Sequence, residues 1–348
     1  MNWIERKILG FFVKTKGIFS KLFFSGKGIV FMLHRVLPEQ ERNQYTLNKD
    51  LAISPEKLDE FILLFKAKGY KFISLDDLQS WLEKKKKIRQ KFICLTFDDG
   101  YRDNLIHGVP ILEKHEVPAT IYITNCLPNG TGILWWYLFE THAKTAKKLN
   151  LNSSIGRFDF SWENSEQAYA QFGSISDAIK SIPISELQTV LMEGFGKTTL
   201  EFEELCRSVS LSWDEIATLS RHPLITIGAH TMQHVSVKQQ NYEVVKAEMS
   251  SSKKELEHYI GKEVKHFAYP FGGTFDVSSK DLEISESCGF RTSTLNQAGN
   301  IFRNNHKSMH ALARMPLGNS TDDQRLKYYL NGIYHFSANQ FNYTIHIH

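Results

Sequence analysis

The chain has 348 residues, 42% apolar and 23% charged, with a formal net charge of +4. That length and mixture suit a folded protein with a large core and one or two domains, and they exclude long-range disorder. So small a net charge on so long a chain gives no reason to expect a nucleic-acid partner.

The positive charge is concentrated at the start. Residues 1–28 carry Arg6, Lys7, Lys14, Lys16, Lys21 and Lys27 against Glu5 alone, a net of +5. Ile4, Ile8, Phe11, Ile18 and Leu22 recur at helical spacing, while Lys7, Lys14 and Lys21 line another face. The apolar runs are too short to span a bilayer, and no small-residue cleavage site follows them. Residues 1–27 therefore read either as a basic amphipathic helix in peripheral contact with an anionic membrane, or as a terminal helix packing its aromatic face on the main domain.

From residue 28 onward, apolar strand patterns alternate with helical ones. Gly28–Val36 is expected as a strand, and Ser54–Lys68 as a helix opened by Ser54 and Pro55 and closed by Gly69. A short strand over Lys71–Leu75 and a helix over Asp76–Lys86 follow, ending in the solvated run Lys84–Lys87. Phe92–Asp98 reads as a strand, Asn104–His115 as a helix and Ala119–Asn125 as a strand. The rhythm resumes with strand Leu224–Ala229, helix Tyr242–Ile260, strand His266–Pro270, helix Ser278–Cys288 and strand Phe290–Leu295. A last strand, Ala311–Pro316, precedes a helix near Asp322–Tyr334. Repeated strand–helix units predict an α/β fold of parallel strands covered by helices.

Residues 126–222 break the pattern with Trp135, Trp136, Tyr137 and Phe139, then polar segments, then helical periodicity. They read as a mainly helical insertion that leaves the carboxyl end of a strand and could wall or cover a site; Trp135 and Trp136 could equally be its core anchors. The expected organisation is a helix over 1–27, barrel segments over 28–125 and 223–348, and the insertion between them. Cys94, Cys126, Cys206 and Cys288 lie far apart with no paired spacing, which points to a reducing compartment and no disulfide framework. The expected location is the cytoplasm, at the inner membrane face if the first helix binds lipid.

Two motifs carry chemistry. Phe92-Ile-Cys-Leu-Thr-Phe runs into adjacent carboxylates, Asp98 and Asp99, and a turn at Gly100. Neighbouring carboxylates repel, so a cation or a reaction is the usual reason to keep them together. His230-Thr-Met-Gln-His234 follows the apolar run Leu224–Ala229. One carboxylate with two imidazoles makes an open metal site, and the spare carboxylate could serve as a base. Both motifs fall at carboxyl ends of strands, where parallel barrels place active sites. A second pair, His306 and His310, lies in a loop-like stretch and reads as an accident of composition.

In order, these pieces resemble the polysaccharide deacetylases of the NodB-homology type, carbohydrate esterase family 4. Thr96-Phe-Asp-Asp-Gly100 is similar to the first family motif and His230-Thr-Met-Gln-His234 to the second. Phe267-Ala-Tyr-Pro-Phe-Gly-Gly273 resembles the third, in the form of the exopolysaccharide subgroup, and Leu312-Ala-Arg-Met-Pro-Leu317 a later strand motif. The resemblance spans about residues 28–320 and implies a distorted (β/α) barrel of about seven parallel strands. It implies a metal-dependent hydrolase that removes acetyl from an N-acetylated amino sugar in surface-glycan biosynthesis. Asp99, His230 and His234 would be the metal ligands, Asp98 the general base and the Phe271 backbone N–H an oxyanion donor. Zinc is the default ion, with cobalt, nickel or iron also suited to the donor set. Gly272 and Gly273 would let the chain pass close to substrate, Thr231 would support the histidine turn through a backbone hydrogen bond, and Tyr269 would either reach the site or pack in a strand.

Three departures qualify the resemblance. Ala268 stands where many family members carry an Arg that positions the catalytic Asp, and Arg314 is the candidate substitute. The late His motif that supplies a general acid is absent, as is the Asp-Trp element that tunes it. His34, in Met32-Leu-His-Arg-Val36, is the first candidate for that acid, ahead of His306 and His310. The substrate could be a glycan, or a lipid- or nucleotide-linked amino sugar. The alternatives are a deformylase of a lipid-linked amino sugar, or a non-catalytic sugar-binding protein on a degenerate barrel.

Overall fold

The computed structural model describes residues 23–339 together with Asn342, Ile345 and Ile347. Most of the amphipathic segment expected over residues 1–27 lies outside the described residues. Among them, no helix is long and apolar enough to cross a membrane.

Eight strands form the main sheet: β1 (Gly28–Leu33), β2 (Lys71–Phe72), β3 (Phe92–Phe97), β4 (Ala119–Ile123), β5 (Ile225–Ala229), β6 (His266–Ala268), β7 (Thr292–Thr294) and β8 (Met315–Pro316). Seven follow one path, β7-β6-β5-β4-β3-β1-β8, and β2 pairs with the start of β3 off that path. Every pairing is parallel. The two ends approach each other ahead of β8, where Leu312 N–H donates to Ser293 O (3.0 Å) and Leu312 O accepts from Leu295 N–H (2.9 Å). The sheet thus curls into the distorted barrel that the strand–helix rhythm and the resemblance predict.

The central strands read as uninterrupted apolar runs because both faces are covered. All six residues of β1 and all six of β3 are buried. Helix Pro55–Ala67 shows how the outer layer is specified. Ser54 accepts from Lys57 N–H as the cap, Pro55 occupies the first turn, and Leu58, Phe61, Ile62 and Phe65 form the buried stripe. Phe61 meets Phe31 of β1 edge-on at 5.0 Å, and each aromatic buried this way contributes about 1.5–3 kcal/mol.

Several boundaries differ from expectation for local reasons. The first strand leaves the sheet at His34, and Arg35–Val36 pairs instead with Ala52–Ile53 in a separate two-stranded parallel sheet. The helix expected at Asn104 opens with a wide turn over Asn104–Gly108 before Val109–Lys114; Pro110 lacks the N–H that a regular ladder needs there. The insertion contains helices from Trp135–Thr145 to Thr199–Val209, but also an antiparallel hairpin, Lys148–Ser153 with Gly156–Ser161. Its apolar cluster, which includes Trp135, Trp136, Phe139, Leu149, Leu151 and Leu191, is distinct from the barrel core.

Candidate active site

The site is assembled at the carboxyl end of the barrel. Asp98 N–H donates to Leu33 O (2.9 Å), which holds the β3 end in register with β1. Asp99 then turns away at φ 74° and Gly100 follows at φ 80°. His230 N–H donates to Ile123 O (2.9 Å), so the histidine turn leaves β5 beside β4. Four non-glycine residues here, Asp99, Thr231, His234 and Phe271, have φ between 56° and 74°. Such backbone costs of order 1–3 kcal/mol each and concentrates at functional sites; for the β-branched Thr231 it is a genuine outlier.

Asp99 Oδ1 lies 3.5 Å from His230 Nε2 and 3.2 Å from His234 Nε2. One ligand atom from each of the three lies within 4.8 Å of the others, the one such group of three or more potential ligands among the described residues. Asp99 Oδ1 is buried and makes no hydrogen bond among the described residues. His230 Nδ1 is 2.7 Å from Ala268 O; donation there leaves the Nε2 lone pair facing the cluster, as a metal-binding imidazole requires. His234 Nδ1 has no hydrogen-bond partner among the described residues; its ring packs between aromatics, 5.1 Å from the Trp136 ring and edge-on to Phe271 at 4.7 Å. An orphaned buried carboxylate oxygen converging with two imidazole nitrogens fits a divalent cation, and nothing in the donor set opposes one.

Asp98 is held differently. Arg314 Nη1 and Nη2 donate to its two oxygens at 2.6 and 2.8 Å, and Arg314 Nε donates to Leu295 O at 3.2 Å. Asp98 is 3% exposed and Arg314 1%. Burial alone would raise the Asp98 carboxyl; the charges of Arg314, His230 and His34 outweigh it and hold it below the usual carboxylate range. Asp99 is likewise held well below that range, burial being overcome chiefly by His234. Burial also lowers His230 to about 4, against the opposing pull of Asp98.

These groups open into one cavity of about 310 Å³, lined at its base by Asp98, Asp99, His230, His234 and Arg314. His34 and Phe271 also line it. His306 and His310 do not: His306 is exposed against Arg303 O, and His310 Nδ1 sits 3.1 Å from Ser293 Oγ. Tyr269 is buried in the barrel core, its hydroxyl donating to His310 O (3.2 Å), so it packs as a strand aromatic. Thr231 Oγ1 has no partner among the described residues, and the hydrogen bond at this position is a backbone one, its carbonyl accepting from Asn125 N–H (3.3 Å). The turn is also pinned by Thr124 Oγ1 on His230 O, by Cys126 N–H on Met232 O, and by Glu248, which accepts from Gln233 N–H at 2.9 Å. Gly272 serves a neighbour rather than substrate: at φ 65° its Cβ would lie 2.5 Å from Asn296 N.

Among the side chains that the sequence reading did not single out, Glu248 supports the histidine turn, and Leu47, Asp50, Phe172 and Asn296 line the cavity. The polar pattern Asn48-Lys-Asp50 carried no periodic signal that could have flagged that loop.

A family model described as polysaccharide deacetylase matches residues 85–293, more than half of the chain. The chain belongs to the polysaccharide deacetylase family. YxkH of Bacillus subtilis, named as a polysaccharide deacetylase, is 36% identical over 55 residues, 16% of this chain and 20% of that protein. The chain thus spans about a fifth of the length of the curated relative it matches. Among solved structures, a de-N-acetylase from Aggregatibacter actinomycetemcomitans superposes with a TM-score of 0.56 at 15% identity, covering 87% of this chain and 99% of that one. IcaB from Ammonifex degensii gives 0.54 at 16% identity, covering 87% and 97%. At such identities the likeness is one of fold. Arg314 and His34 both lie outside the matched residues, so their placement rests on this structure alone.

Proposed function

We propose that this family member is a metal-dependent N-deacetylase that removes acetyl from an N-acetylated amino sugar during surface-glycan assembly. The observation that carries the reading is the convergence of Asp99, His230 and His234 beside an Arg-clamped Asp98 at the base of one cavity. Asp99, His230 and His234 would hold the metal, zinc by default with cobalt, nickel or iron as alternatives. When bound, it would polarise the acyl oxygen and lower the pKa of water from ~16 towards ~7.

The chain's own residues supply the rest. Asp98 is ionised at neutral pH and each of its oxygens keeps a lone pair beyond its Arg314 bond, so it can take a proton from the attacking water. Such a base is worth ~10²–10⁴-fold in rate. Arg314 fixes the carboxylate plane and keeps it charged. The Phe271 N–H, set by the left-handed turn at φ 60°, donates to the developing oxyanion. Among the described residues, His34 is the one imidazole lining the cavity that is not in the metal cluster, and it protonates the leaving amine. The basic start of the chain favours a lipid-linked form of the sugar, met at a membrane face.

The test is acetate release from N-acetylglucosamine oligomers, together with hydrolysis of 4-nitrophenyl acetate, by metal-loaded protein and by Asp98→Asn. The proposal expects turnover in the wild type, and in the variant a loss of at least ~10²-fold with metal retained. A wild type that binds oligomer but releases no acetate would point to a sugar-binding protein.

A further inference from the structure

The insertion reaches the catalytic end at two places. At one, Glu140 of helix Trp135–Thr145 holds the cavity-lining loop, accepting from Leu47 N–H (3.2 Å) and Asn48 N–H (3.1 Å). At the other, helix Phe172–Ser181 meets the turn that carries Phe271, whose ring packs against the insertion's apolar cluster. Phe172, Ser176 and Lys180 recur every four residues and so share one face of that helix. The first two line the cavity; Lys180 does not line it and extends to the Phe271 turn.

A lysine ordinarily keeps its ammonium in water, yet the Lys180 side chain is only 9% exposed. Its Nζ lies 3.1 Å from Asp276 Oδ1 and 3.0 Å from Asp177 Oδ1. It also sits over two rings, 5.1 Å from the centroid of Phe271 and 4.7 Å from that of Phe275, within reach of cation–π attraction. Asp276 is buried, and its two oxygens accept from Ser236 Oγ (2.9 Å) and Gly273 N–H (3.3 Å). Lys180 therefore touches the Phe271 turn twice, at the ring and at the carboxylate that holds Gly273. The same ring meets His234 edge-on at 4.7 Å.

Phe271 stands at φ 60°, a backbone state that persists only where its surroundings over-determine it. Past it, Gly272 N–H donates to Pro270 O (2.6 Å) and Gly272 O accepts from Asn296 N–H (3.0 Å). The phenyl ring has no hydrogen bond to offer, so packing alone fixes it. An anchor for the insertion would be served by Lys180 with the exposed Asp177; carrying the ammonium in to Asp276 and Phe271 gives up its hydration. We propose that Lys180 is a positioning residue of the active site: from behind the cavity wall it seats the Phe271 turn, and with it the N–H that meets the reacting acyl oxygen. This rests on the deacetylase reading above.

The experiment compares full-length wild type, Lys180→Met and Asp177→Asn. Amide hydrogen exchange is followed by mass spectrometry in a peptide covering residues 269–276. In metal-loaded protein, kcat per bound metal and KM are measured for 4-nitrophenyl acetate. In Lys180→Met, exchange at Gly272 and Gly273 should be at least ~10-fold faster. Its kcat per bound metal should fall at least ~10-fold, with KM within ~2-fold. Asp177→Asn, which removes only the exposed partner, should change neither. Lys180→Gln, which keeps a donor for Asp276 but loses the cation, reads the same two quantities if the Met variant fails to fold. Unchanged exchange, or faster exchange with full kcat, would overturn the inference and leave the deacetylase reading standing. Absence of turnover in metal-loaded wild type would overturn the deacetylase reading itself, and the inference with it.

Discussion

Removing Arg314 probes the least expected contact in the site. Arg314→Met leaves Asp98 buried without the guanidinium that clamps both its oxygens at 2.6 and 2.8 Å. Breaking a buried pair by deleting one partner costs about 3–5 kcal/mol, because an uncompensated charge remains. With an unfolding entropy of about 2.1 cal/mol/K per residue, a chain of 348 residues loses about 1.4 °C of Tm per kcal/mol. The expected drop is therefore about 4–7 °C. The charge itself is the cause, so Asp98→Asn in the Arg314→Met background should recover part of the loss. Scanning calorimetry at pH 7 on the wild type, both single variants and the double variant measures the coupling. The reasoning fails if Arg314→Met shifts Tm by less than about 1 °C, or if the two single effects add within about 0.5 kcal/mol.

Further outcomes follow from the same geometry. Glu248 is raised by burial from 4.5 to about 6, against the Gln233 N–H that lowers it. A raised carboxyl contributes stability that is present below its unfolded pKa near 4.3 and lost as pH rises through about 6. Glu248→Gln should therefore flatten the wild type's stability loss between pH 4.5 and 7, worth about 2 kcal/mol; an unchanged profile by denaturant titration would contradict this. Gly272→Ala would press a Cβ to 2.5 Å from Asn296 N in a left-handed conformation, costing about 1–2 kcal/mol and displacing the Phe271 N–H. Its kcat for 4-nitrophenyl acetate should fall at least tenfold, and retention of full kcat would remove Phe271 from the mechanism. His34→Gln should lower acetate release from the sugar amide far more than from the activated ester, whose leaving group needs no proton; equal losses would argue against an acid role.

Much of the architecture was legible because parallel strands covered on both faces must be apolar throughout. The runs at Gly28–Leu33 and Phe92–Phe97 carried that signal, and helix Tyr242–Ile260 matched its periodicity to the residue. The hairpin in the insertion was missed although Leu149 and Leu151 alternate with polar neighbours; the Asn and Ser residues around them read as loop. In the site, paired carboxylates and imidazoles after apolar runs marked Asp98, Asp99, His230 and His234 as candidates. Arg314 could be suspected only from its place on the last strand, since its contact with Asp98 spans 216 residues. Glu140 and Glu248 gave no signal. Each sits on a helix where a Glu ordinarily faces water, and each is buried because a distant loop supplies the N–H groups it needs.

The most direct test of the central claim is bound-metal stoichiometry by elemental analysis, on the wild type and His234→Ala prepared side by side. The account predicts about one divalent ion per wild-type chain, and its loss in the variant along with 4-nitrophenyl acetate hydrolysis. A wild type that takes up no metal after reconstitution, or a variant that keeps both ion and activity, would contradict it.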